Sequence, residues 1–291
     1  MRRSDSQSGF SLLELIVVVI LLGILATGAG LLIVQPIEAF DDQRRRQQLV
    51  DLGEMALRQI ANDVRSALPN SLRLTSVGTG WALEMVNTVD GARYRDQNDD
   101  SVLLSGADEI LEFAAADTDF NLLGSFSDLT AFAAGQRLVI YNTTPATLYQ
   151  NAASGSNPGI VTPAGSTLAL STSALYANEQ HIEINKLTGG FRFAQQSPGQ
   201  RLFVIDPPTS YICNPATGRI FRHSNYGFSA LQSAAPGGTV ATVTTQLIGC
   251  NMAYTAGTAQ RGGILSIEIT IGAAGGESVS LLHQVHVENV P

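Results

Sequence analysis

Hydrophobic and polar positions divide the chain into three stretches of different period. From Phe10 to Val34 the sequence is apolar for 25 residues with a single charge, Glu14. Such a run predicts a helix able to cross a hydrocarbon core, which takes about 20 residues. From Ile37 to about Leu68 the pattern is helical but one-sided: Leu49, Leu52, Ala56, Ile60 and Val64 recur at spacings of three and four, with Asp51, Arg58, Asn62 and Arg65 mostly between them. Pro69-Asn70 closes this stretch. Together the two parts predict a helix of up to about 59 residues, roughly 88 Å at 1.5 Å per residue. Pro36 removes one backbone donor and predicts a kink or an interruption. Gly23, Gly28 and Gly30 would each weaken a soluble helix by about 1 kcal/mol, but in lipid or a filament core they permit close helix approach.

From Ser71 onward short strand-like runs alternate with turn residues. The runs are 81–86, a pair around Asp90-Gly91, 110–114, 137–141, 181–184, 191–193, 201–205 and 220–223. The clearest are 264–271 and 279–287, joined by Gly272-Ala273-Ala274-Gly275-Gly276 as a hairpin. Stretches 142–166 and 232–239, rich in Ala, Gly, Ser, Thr, Asn and Pro, read as surface loops. The predicted fold is α+β: a long N-terminal helix packed on an antiparallel β-rich C-terminal domain. Its predicted divisions are 10–34 for a transmembrane or assembly helix, 35–69 for an amphipathic helix entering the head, and 70–291 for the head itself.

The net charge of −8 excludes binding of nucleic acid driven by counterion release. Charged residues are only 14% of the chain and glycines number 28, which suits an extracellular β-rich domain better than a cytosolic enzyme. Charge does not orient the apolar span. Arg2 and Arg3 precede it, but Arg44, Arg45 and Arg46 follow, offset by Glu38, Asp41 and Asp42. The arginine triplet reads as a solvated or lipid-headgroup face.

Glu14 is the informative charge. A carboxylate inside an apolar span costs about 2.5–3.5 kcal/mol near the membrane centre, less toward the interface, and calls for a partner. Cleavage between Gly9 and Phe10 would supply one, the new α-amine of Phe10, which a neighbouring subunit's Glu14 could meet so that each offsets the other's burial. A short leader with Arg2 and Arg3, then Gly9-Phe10-Ser11-Leu12-Leu13-Glu14 and an apolar helix, resembles the class III signal of type IV pilins and pseudopilins. The resemblance implies a leader of residues 1–9, cleavage after Gly9, N-methylation at Phe10, and an assembly role for Glu14. An ordinary secretory peptide is disfavoured, since no small-residue cleavage site follows a short apolar core.

Further resemblance, to minor pilins of the mannose-sensitive haemagglutinin (MSHA) type IV pilus, lies in the helix from Pro36 to Arg73, in residues 197–206, in Tyr211-Ile212-Cys213 and in residues 282–291. What it implies is a pilin-like fold and a low-abundance subunit of a priming or tip complex. Its partners would be major and minor pilins bound through the N-terminal helix, the prepilin peptidase and methyltransferase, the inner-membrane assembly platform and the inner membrane itself. The chain would be single-pass with a cytoplasmic N-terminus before assembly, and at the cell surface afterwards. The two cysteines, Cys213 and Cys250, are an even pair in a chain that exports its C-terminal part, and so predict one disulfide. Two alternatives stay open: a minor pseudopilin of a type II secretion system, and a tip adhesin whose head binds a surface glycan by stacking on Trp81, Tyr141, Tyr149 or Phe228.

No constellation for catalysis emerges. There is no nucleophile motif, and no phosphate-cradling glycine loop joins a strand to a helix. Nothing calls for a cofactor, and an enzyme is not expected. Among His181, His223, His283 and His286 the closest pair, His283 and His286, would point to opposite faces of a strand and so would not share a metal. Asp96, Asn98 and Asp100 space their oxygens like the opening of a calcium loop. However, Ser101 stands where its glycine belongs and no bidentate Glu follows, so a solvated acidic turn is the better reading.

Overall fold

The computed structural model describes residues 9, 11–97, 109–176, 178–185, 189–257, 261–272 and 276–288; the side chains of 29–39 lie outside that description. The chain divides into two units, Met1–Leu49 and Val50–Pro291. Helix α1, Leu12–Arg65, supplies most of the first and opens the second. It runs through Pro36 without a break in helical structure, so the interruption expected there is absent. A proline forfeits one backbone hydrogen bond, and the helix continues beyond it.

In the second unit, the stretch 50–65 of α1 buries Ala56, Leu57, Ile60, Ala61 and Val64, each at most 4% exposed. Ala56, Ile60 and Val64 are positions the three-and-four spacing predicts, Leu57 and Ala61 widen the stripe beside them, and the expected Leu52 is only half-buried. Two sheets receive it. Against Gly53 lie Leu281 and Ile271, and an added Cβ there would run into Leu281 Cδ1, so the glycine sets how near the sheet comes. On its polar side Asp63 Oδ2 accepts Tyr211 Oη–H at 2.7 Å and Arg222 Nε–H at 2.8 Å.

Four antiparallel sheets build the head. Strands β1 (Arg73–Val77), β2 (Gly80–Met85), β9 (Thr209–Asn214), β10 (Arg219–Ser224) and β11 (Thr239–Thr245) form the largest, in the order β1-β2-β9-β10-β11. β12 (Leu247–Thr255), β13 (Gly263–Gly272) and β14 (Ser278–Val287) form a meander. β3 (Thr88–Arg93), β8 (Arg201–Ile205) and β5 (Arg137–Val139) form the third, and β4 (Asp119–Asn121), β7 (Gln180–Asn185) and β6 (Thr167–Thr172) the fourth. The fold is α+β, an N-terminal helix with an antiparallel β-rich domain, as the sequence pattern predicts.

Period two organises the core. Leu138, Leu202 and Val204 join one cluster with Tyr94, Phe120 and Phe191, whereas Val139 and Ile205 join another with Leu68, Leu148 and Tyr149. Alternate residues of β5 and β8 thus serve opposite faces of their sheet. The predicted hairpin pairs Ile271 with Val279 through Ile264 with His286, and Leu265, Ile267, Ile269 and Ile271 are buried along it.

Three expectations fail locally. Residues 191–193 form no strand and pair only through isolated bridges, Phe191 with Asp117 and Phe193 with Gly159. Residues 110–114 form no strand, because the segment folds back on itself: Glu112 N–H donates to Asp117 Oδ2 at 3.0 Å. Within the expected loop 142–166 sits helix α2, Pro145–Ser154. Thr144 caps it, accepting from Thr147 N–H at 3.2 Å, Pro145 starts it, and Gly155 at φ 67° ends it with its N–H on Asn151 O. Those three residues are stop and start signals visible in the sequence, which the high Ala and Asn content obscured.

The carboxylate of Asp90 holds the 126–129 turn, accepting N–H groups from Asp128 at 2.8 Å and Leu129 at 3.0 Å. Burial opposes its charge, but N–H donors from Asp128, Gly91, Leu129 and Ser127 outweigh that, and its pKa lies below the usual value. A depressed carboxylate adds stability above its unfolded pKa near 4, which is lost as pH falls through the folded value. Asp90→Asn is therefore expected to lower the melting temperature at pH 7, with the deficit relative to the parent chain shrinking as the pH falls below about 4; a deficit that does not change with pH would contradict this account.

Candidate functional site

The N-terminal segment is built around a helix start. Ser11 precedes α1, with Glu14 N–H on its Oγ at 3.2 Å and Leu15 N–H on its carbonyl at 3.2 Å. Ser11-x-x-Glu14 is thus a capping-box spacing, and Ser11 is the N-cap of α1, a signal explicit in the sequence but absent from the expectations above. A carboxylate in the first turn also faces the positive end of the helix dipole, a favourable placement worth about 0.3–1 kcal/mol. Gly9 is exposed with open space around it, while Phe10 lies outside the described residues.

Every large apolar side chain from Leu12 to Leu25 is exposed, from 42% at Val18 to 78% at Leu12. A helix apolar on all sides needs a cover of lipid or of neighbouring helices. Thr27, a polar residue here, turns its hydroxyl inward to Ile24 O at 2.9 Å and Gly23 O at 3.1 Å, which leaves no orphan donor in an apolar setting. Among the described residues no helix is long and apolar enough to cross a membrane, so the crossing helix expected over 10–34 is not found among them.

Residues 4–30 match the family model described as the prokaryotic N-terminal methylation motif. The match supports a type IV pilin or pseudopilin. It brackets the Gly9-Phe10 junction, Ser11, Glu14 and most of the exposed apolar face. The motif is one of structural proteins and implies processing by prepilin peptidase and assembly with other pilins. No curated protein matches the chain, and no solved structure does.

In the head the cysteines meet. Cys213 in β9 and Cys250 in β12 form a disulfide with Cα atoms 6.4 Å apart, joining the five-stranded sheet to the meander. Beside it runs a buried polar network. Arg73 pairs with Glu84, which is 2% exposed, and Tyr226 Oη–H donates to Glu84 Oε1 at 3.0 Å while contacting Ser210 Oγ at 2.6 Å. Arg73 also donates to the carbonyls of Ser229 at 2.9 Å and Ala230 at 2.8 Å, which fixes the loop after β10.

The remaining candidates do not assemble into a site. Of the possible calcium ligands, Asn98 and Asp100 lie outside the described residues, and the Asp96 carboxylate accepts from Gln200 Nε2. Among the described residues no group of three His, Cys, Asp or Glu could hold a metal. His283 sits on the half-buried face of β14 and His286 on the exposed one, opposite Ile267 and Ile264. His181 Nδ1 pairs with Asn121 Oδ1 at 2.8 Å. Of the four aromatics considered for glycan stacking, Tyr149 is fully buried, Trp81 and Tyr141 are half-buried, and Phe228 borders an open cleft.

Proposed function

We propose that this chain is a minor pilin of an MSHA-like type IV pilus, similar to the biogenesis protein MshO, and not an enzyme. Prepilin peptidase cuts it after Gly9, Phe10 becomes the methylated N-terminus, and α1 inserts in the inner membrane until the assembly platform moves it into a priming or tip complex. The observation that carries this reading is the methylation motif at residues 4–30 lying on a helix whose large apolar side chains are all exposed over 12–25. Burying each of those side chains against a neighbouring helix or lipid is worth about 1.5–3 kcal/mol. The helix therefore has ample driving force for assembly. A disulfide-tied head fits the oxidising compartment outside the inner membrane.

Intact mass and N-terminal analysis of the protein from membranes, with and without prepilin peptidase, tests the reading. A mature chain that begins at methylated Phe10 only when the peptidase is present is the expected result. An uncut chain, or one cut elsewhere, would leave a signal-anchored β-rich head and remove the pilin assignment.

A further inference from the structure

A cleft of about 670 Å³ opens in the head, lined by residues 132–137, 163–168, 207 and 225–228. Small-molecule sites run roughly 300–1,000 Å³. Within the lining is Arg137, only 9% exposed. Its Nη1–H donates to Ala152 O at 2.8 Å, and its Cζ lies 4.5 Å from the centroid of the Phe228 ring. Among the described residues no carboxylate pairs with it, and burial alone pushes its pKa below the ordinary value. Ala152 belongs to the last turn of α2, whose dipole end supplies only about half a negative charge. The guanidinium keeps a fork of donors that one carbonyl cannot use up. No atom of Arg137 is among the buried polar atoms without a partner, so the donors that this carbonyl leaves free stay accessible to a group entering the cleft.

The aromatic wall is held in place. Phe228 packs on Tyr149 at 6.0 Å between centroids, Arg73 lies 3.6 Å over the other aromatic ring of that pair, and the loop carrying Phe228 is tied down through Tyr226 and the Ser229 and Ala230 carbonyls. Phe132, half-buried and packed edge-on against Phe126, lines the same cleft. The site is thus preformed: one buried fork for an anion and two rings for an apolar body. The rest of the rim is small, with Ala133, Ala134, Gly135, Pro163 and Ala164 among its residues.

We propose that this cleft binds an acidic sugar, its carboxylate on the Arg137 guanidinium and the C–H face of its ring on Phe132 and Phe228. A planar bidentate match explains why an arginine serves here, and a ring with one apolar face suits walls made of aromatic and small residues. A peptide would instead add its main chain to a strand edge, which Thr167 and Leu168 of the edge strand β6 offer on one side of a rim otherwise made largely of turns, so a short peptide is the competitor included in the test. The site lies wholly within 132–228 and does not depend on the reading of the N-terminal motif.

Titration of the full chain in detergent with glucuronate and N-acetylneuraminate, followed by ligand-observed NMR, tests the proposal. Saturable binding of at least one, weakened about tenfold or more for the matching methyl ester, is expected for loss of a charge-assisted pair. Arg137→Lys, which keeps the charge but loses the fork, is expected to weaken binding, and Ala164→Trp, at an exposed position on the rim, to abolish it without changing the melting temperature. Absence of saturable binding by the unmodified chain, equal binding of acid and ester, tighter binding of acetyl-Ala-Ala than of either sugar, or undiminished binding by Ala164→Trp would each overturn it.

Discussion

Replacing Glu14 with alanine is expected to leave cleavage after Gly9 and head stability unchanged while lowering incorporation into the filament by two orders of magnitude or more. The cut depends on the Gly9-Phe10 junction, not on a side chain one helical turn later, and the head lies in a separate unit beginning at Val50. Insertion should not suffer either, because alanine removes an acid that opposes burial in lipid. On the proposed pilin reading, what is lost is the partner that a neighbouring subunit's Phe10 α-ammonium would have. Removing one member of a buried pair costs about 3–5 kcal/mol, since the other charge stays buried, and 1.4 kcal/mol is a factor of ten. Ser11→Ala offers a calibrated contrast. It removes the N-cap of Glu14 N–H, worth about 1 kcal/mol of helix stability, and leaves the carboxylate in place. Quantitative immunoblotting of sheared filaments against total processed protein reads both variants. Equal depletion of the two would mean that helix capping, and not the charge, is the function of this turn.

How much was legible in the sequence depended on how local the signal was. Ala56, Ile60 and Val64 of the helical stripe and the β13–β14 hairpin are set by neighbours within a few positions, and they appear where the periodicity places them, whereas the equally local cap at Ser11 is not part of that periodicity. Arg137 gave no such signal. Its environment comes from α2, from the loop after β10 and from the turn before β6, which are distant in sequence and converge only in the fold. Asp63 is a similar case. On the helix it reads as one more polar residue between apolar ones, yet it holds Tyr211 and Arg222 from two adjacent strands and raises both their pKa values against or beyond the effects of burial. The strand expected at 110–114 failed for the opposite reason. Its local β-propensity was overridden by a turn that Asp117 closes from outside the run.

The Cys213→Ser/Cys250→Ser double variant is expected to lose about 3–4 kcal/mol of head stability. The pair closes a loop with a sequence separation of 37, and on the chain-entropy model freeing a loop of that size in the unfolded state accounts for this amount. The loop contains β10 and β11, which form one side of the five-stranded sheet, and the bond fastens that sheet to β12 in another. Its removal should therefore loosen the contact between sheets before it disturbs either sheet internally. Native-state hydrogen exchange separates these consequences: amides of the edge strand β12 are expected to lose protection first, while those of the central strand β9 and those between β13 and β14 hold to near the global value. Denaturant midpoints should fall for the double variant and for the reduced parent chain alike, and reductant should have no effect on the variant. If reduction left the parent's midpoint unchanged, the packing of Cys213, which is fully buried, would be carrying the junction without the covalent link. The head would then owe its integrity to the Asp63 contacts and the Glu84 network, and secretion into an oxidising compartment would not be required for it to fold.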